Sequence, residues 1–181
     1  FIFKVEFEKV FDSLNWGYLD SIMSQMAFGH KWCLWIKGCL SSAKASVLFN
    51  GSPTVEFSME KGVRQGDPLS PFLFIITVEG LNIAMEEAFN KNIFRGIKLP
   101  NNGPTISHLQ YADHVIFLGS WSIDNARNLI IILRCFEFSS GLKVNILRNF
   151  CPNTKIESFA RNCCCSMGQL LFTYLGLAVG A

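Results

Sequence analysis

The chain has 181 residues, half of them hydrophobic and only 17% charged, with a formal net charge of +2 at pH 7. That composition excludes disorder and gives enough apolar material for one sizeable core, or for one large piece of a bigger domain. So mild a charge makes almost no electrostatic case for nucleic acid by itself.

Strand periodicity opens the chain: in "FIFKVEF" the apolar Phe1, Phe3, Val5 and Phe7 alternate with Lys4 and Glu6. Two helices are predicted next. The first carries Leu19, Ile22, Met23 and Met26 at helical spacing, with Gly29 as its stop. The second places Trp32, Trp35, Ile36, Cys39 and Leu40 on one face. "ASVLFNGSPTVEFSM" reads as a hairpin, because Asn-Gly is the strongest short hairpin signal.

"GVRQGDPLSPFLF" is a loop entering a long helix, with Asp67 as the cap and Pro68 at its first position. That helix is apolar nearly all round and is predicted to be buried. A loop "LPNNGP", a hairpin over 106–119 and a helix from near Asp124 follow. This last helix has Leu129, Ile132, Leu133 and Phe136 as its buried stripe and Gly141 at its end. A strand over 143–148 and a terminal strand "LFTYLGL" complete an α+β layered domain with a largely antiparallel sheet. Both ends read as interrupted strands, so the expectation is a single partial domain over 1–181, truncated at each end.

Glu6 and Glu8 spoil a signal-peptide pattern. Residues 162–181 carry no charge, but Asn162, Ser166, Gln169 and Thr173 argue against a membrane span. The cysteines, seven in all, are odd in number and show no C-x2-C pair. Cys33, Cys39 and Cys135 are read as buried small hydrophobes, and reduced thiols place the chain inside the cell, in nucleus or cytoplasm, and not secreted.

Acids sit at three loops or strand ends: Glu6/Glu8/Asp12, Asp67, and Asp113 at the tip of "LQYADHVIF". Surface solvation is the default for each. Two strands ending in acids on one sheet edge can instead hold Mg2+ ions about 3.5–4 Å apart for in-line phosphoryl transfer.

Five segments decide between these readings. "KVEFEKVFDSLNW", "GVRQGDPLSPFLF", "QYADHVIF", "SGLKVN" and "YLGLAVG" resemble, in order, motifs A to E of the reverse transcriptase domain of plant non-LTR (LINE-type) retrotransposons. The resemblance implies a palm: an antiparallel sheet packed on helices, with motifs A and C on adjacent strands and most of the fingers and thumb missing. It implies an RNA-directed DNA polymerase taking an RNA template, a DNA primer and dNTPs, with Mg2+ as cofactor. Carried over residue by residue, the metal positions fall on Glu6, Asp113 and His114. Phe11 takes the aromatic place that excludes a 2′-hydroxyl, and Arg64, Gln65 and Gly66 line the nucleotide. Lys143 is a candidate proton donor to pyrophosphate, or simply a solvated lysine at a strand start.

The chain departs from the pattern at two ligand positions. Glu6 stands where the family has Asp, which moves the carboxylate outward by about 1.5 Å, one carbon–carbon bond. A displacement of about 1 Å costs on the order of 100-fold in such chemistry. His114 replaces an acid outright, and imidazole suits Zn2+ or Cu2+ where Mg2+ wants oxygen. Val10, where the family usually has Ala, adds bulk. The metal set is thus reduced to Glu6 and Asp113, and the polymerase is expected to be impaired or inactive. The alternative is a non-catalytic mobile-element remnant or a nucleic-acid-binding palm module. A Zn2+ site built from Cys163–Cys165 and His114 has the wrong spacing.

Overall fold

The structure is a computed structural model that describes residues 1–150, 172–174 and 177–179, without the side chains of Val10, 146–150 and the two last segments. Cys151, the cysteine run and most of the uncharged 162–181 stretch lie outside the described residues. In chain order the elements are β1 (Ile2–Glu8), α1 (Val10–Ser13), α2 (Trp16–Gln25) and α3 (His30–Ser41), then four two-residue strands: β2 (Lys44–Ala45), β3 (Leu48–Phe49), β4 (Ser52–Pro53) and β5 (Phe57–Ser58). They continue with α4 (Ser70–Asn90), β6 (Ile97–Lys98), β7 (Thr105–Ile106), β8 (His108–Tyr111), β9 (His114–Leu118), α5 (Ile123–Ser140), β10 (Lys143–Phe150), β11 (Phe172–Tyr174) and β12 (Leu177–Val179). The chain is a mixture of helices and antiparallel sheet, as expected.

Two compact units divide it: Phe1–Glu8 with Ala84–Arg134 and Val144–Ala181, and Lys9–Ile83 with Cys135–Lys143. The first unit carries a four-stranded sheet in the order β10-β1-β9-β8. Its apolar alternation works as read: Phe1, Phe3, Val5 and Phe7 are buried while Ile2, Lys4, Glu6 and Glu8 are part-exposed. Phe1 meets Phe3, Phe94 and Trp121 edge-on, with ring centroids 5.1, 6.2 and 6.1 Å away. Buried Asn125 ties a loop down by accepting from the Arg95 N–H and donating to the carbonyls of Arg95 and Ser120. In α5, Leu129, Leu133 and Phe136 are buried and Ile132 is half-buried, and Gly141 closes the helix at φ +77°.

Several expectations need correction. Helix α2 is not stopped by Gly29. Ala27 takes the left-handed position at φ 59°, while the Phe28 and Ala27 amides return to the carbonyls of Met23 and Ser24, and Gly29 instead begins α3. On α3 the buried residues are Cys33 and Ile36, whereas Trp32, Trp35 and Cys39 are exposed. Both stripes satisfy helical spacing, and the packing selects the one through Cys33. Cys135 is likewise exposed. Helix α4 is buried along Leu73, Thr77, Val78, Leu81 and Met85 but leaves Phe72 and Ile75 exposed, so it is covered on one side only. The terminal segment forms two strands, β11 and β12, paired antiparallel, rather than one.

The predicted hairpin over 45–59 is present but broken. Asn50 and Gly51 both have positive φ, as a primed two-residue turn requires. Leu48 pairs with Pro53, yet Ala45 pairs with Phe57, so one extra residue on the returning side makes a bulge. Leu48, Phe49 and Val55 on this arm are strongly exposed.

Candidate active site

The strand period places Lys4 and Glu6 on the face of β1 opposite its buried phenylalanines. Antiparallel pairing with β9 then opposes Val5 to Val115, Phe3 to Phe117 and Glu6 to His114. β8 and β9 join through a two-residue turn, Ala112–Asp113, closed by the Tyr111–His114 pair. Ala112 sits at φ 50°, a left-handed conformation that costs a non-glycine residue about 1–2 kcal/mol. The tight turn leaves the Asp113 carboxylate about half exposed.

Glu6, Asp113 and His114 therefore come together where β1 meets β9. Nδ1 of His114 lies 3.2 Å from Glu6 Oε1 but off the line of a hydrogen bond. Its Nε2 is 3.8 Å from Asp113 Oδ1. The same Glu6 oxygen is held by Lys4 Nζ at 3.1 Å. Lys4 was not among the candidate residues, although its position two residues from Glu6 on one strand signals a shared face.

The remaining candidates lie in the second unit. Phe11, on α1, receives the Val63 N–H on its carbonyl at 2.6 Å, and Leu14 receives the Gly62 N–H at 2.7 Å. Trp16 donates its indole N–H to the Gly62 carbonyl at 2.6 Å. Gly62 has φ +80°, and a Cβ there would meet the Phe11 carbonyl at 2.6 Å, so glycine is required twice over. Beyond it, Arg64, Gln65 and Gly66 form an exposed turn. This turn is fixed by Ser70 Oγ, which donates to the Arg64 carbonyl, and by Asp67 Oδ1, which accepts from Leu69 N–H at 2.8 Å. A cavity of about 310 Å³ in the same unit is lined by Trp16, Leu40, Lys44, Val63 and Arg64 among others, but not by Gln65 or Gly66. Lys143 is exposed at the start of β10.

As they stand, the residues of the first unit do not fit a pair of Mg2+ ions. One Glu6 oxygen is already engaged by an ammonium and an imidazole, and a hard divalent ion wants oxygens where His114 offers nitrogen. Among the described residues, no three His, Cys, Asp or Glu side chains group so as to hold a metal ion. No helix among them is long and apolar enough to cross a membrane.

Residues 1–178 match the family of the reverse transcriptase (RNA-dependent DNA polymerase), and the chain belongs to that family. It is similar to an uncharacterized mitochondrial protein of Arabidopsis thaliana, with 42% identity over 66 residues, 36% of this chain and 54% of that one. It is also similar to the transposon TX1 uncharacterized 149 kDa protein of Xenopus laevis, at 29% identity over 66% of this chain and 9% of that one. The retrovirus-related Pol polyprotein from type-1 retrotransposable element R2 of Popillia japonica is 25% identical over 65% of this chain and 16% of its own length. Among solved structures, an apo telomerase from Candida tropicalis, truncated from its C-terminal domain, shares the fold. Its TM-score is 0.61 at 13% identity, over 98% of this chain and 33% of that one. The chain thus spans about half, or much less, of the proteins it matches.

Proposed function

We propose that this chain is the palm of a non-LTR retrotransposon reverse transcriptase whose nucleotidyl-transfer step is impaired. One observation carries the reading: Glu6 and Asp113 stand at adjoining strand ends as the family pattern requires, while Glu6 is opposed by His114 and clasped by Lys4 instead of facing a second acid. The substrates in this reading are an RNA template, a DNA primer and dNTPs, met in the nucleus or cytoplasm. Phe11 is the aromatic wall against a 2′-hydroxyl. Arg64, Gln65 and Gly66 present a turn, its backbone approachable at glycine, to the nucleotide's sugar and base. Lys143 hands a proton to departing pyrophosphate.

Primer extension on an RNA template in Mg2+ or Mn2+ tests the reading. This chain and its Glu6→Asp/His114→Asp double variant are each joined to the fingers and thumb of an active relative. Extension by the unaltered palm is expected to be slower by on the order of 100-fold or more, from carboxylate misplacement alone. Equal extension by the two palms overturns the impairment. If both stay silent yet bind the template–primer duplex, the second reading holds: a nucleic-acid-binding palm without catalysis.

A further inference from the structure

Glu6 and His114 are not merely neighbours; they are register partners on β1 and β9. Side chains at opposed positions of an antiparallel pair project on the same face with Cβ atoms about 4.5–5.5 Å apart, and like charges placed there repel. With Asp113 at the adjacent turn, a third acid at position 114 would leave three carboxylates at one strand end. Such a cluster is relieved by a divalent cation. This chain relieves it differently. His114 presents one nitrogen toward Glu6 and the other toward Asp113, at 3.2 and 3.8 Å, and an imidazole brings no negative charge to oppose either carboxylate. Lys4 adds a full positive charge 3.1 Å from the same Glu6 oxygen, and its side chain is only 18% exposed, so water screens that contact incompletely.

We infer that Lys4 and His114 together take the place of a divalent cation at this end of the sheet, so that the folded chain neither needs nor retains one. Lys4 supplies the charge, and His114 removes the repulsion. The substitution at 114 is then a compensated change in the electrostatics of the fold. This claim stands apart from polymerisation, because its readouts are stability and ion binding.

The test is thermal unfolding of the 181-residue chain in EDTA and in millimolar MnCl2, followed by tryptophan fluorescence. The unaltered chain is expected to unfold at the same midpoint in both. His114→Asp is expected to unfold earlier in EDTA and to recover with Mn2+, whereas His114→Asn shows no ion dependence. A rise with Mn2+ in the unaltered chain as large as that of the Asp variant overturns the inference. So does an Asp variant that matches the unaltered chain in EDTA. Electron paramagnetic resonance of free Mn2+ decides the matter even if the Asp variant does not fold. An undiminished signal beside the unaltered chain supports the inference, and stoichiometric loss of signal overturns it.

Discussion

The loop after Lys61 and the strand ends at Glu6 and His114 are built from different kinds of residue. In the loop the backbone is fixed by three features: glycine where only glycine fits, an indole fastening its carbonyl, and an aspartate capping the turn into the helix. At the strand ends the backbone is equally regular, and it brings together the part-exposed ionisable groups of Glu6, Asp113 and His114. Framework and chemistry are held by different residues and therefore change independently. Buried apolar side chains and strained backbone positions answer to folding, whereas in the proposed reading part-exposed carboxylates answer to reaction.

Phe117 lies fully buried on β9, three residues beyond His114. Its replacement by alanine is expected to cost about 3–5 kcal/mol in urea unfolding. If Phe117→Ala costs no more than a surface change, the sheet is not the rigid support assumed for the site. Gly62→Ala comes next: the left-handed backbone alone contributes about 1–3 kcal/mol, and the clash with the Phe11 carbonyl adds to it. A neutral result there would mean the loop is not fixed as described.

The smallest effect is a pH dependence. Burial raises the Tyr18 phenol from 10.0 to about 12, and its ring packs edge-on against Phe136. Between these values the folded chain holds a proton that the unfolded chain has lost, so stability falls as pH rises from 10 toward about 12. Tyr18→Phe is expected to flatten that fall in alkaline unfolding curves. An unchanged slope would show the phenol to be free in the folded state.

Much of the framework was legible because it is written locally. The β1 alternation, the Asn50-Gly51 turn and the Gly141 stop each depend on residues a few positions apart. The misreadings share one cause: periodicity says that a face is apolar, not that anything covers it. Trp32 and Trp35 form as good a stripe as Cys33 and Ile36, and only tertiary packing chooses between them. Ala27 in a glycine's place at the end of α2 shows the same override, since two returning amide bonds hold a conformation that propensity disfavours. The motifs brought Glu6, Asp113 and His114 to notice, but not the direct opposition of Glu6 and His114. Register is a long-range property, set here by pairing across more than a hundred residues.

That opposition has a consequence at the level of the gene. Aspartate is one base change from either glutamate or histidine in the genetic code, so each difference from the proposed acid pattern is the smallest step a coding sequence can take. The steps back are not equivalent. Glu6→Asp alone keeps an acid facing an imidazole, whereas His114→Asp alone sets acid against acid across the strands. Restoring the proposed acid pattern therefore meets its harder step at position 114.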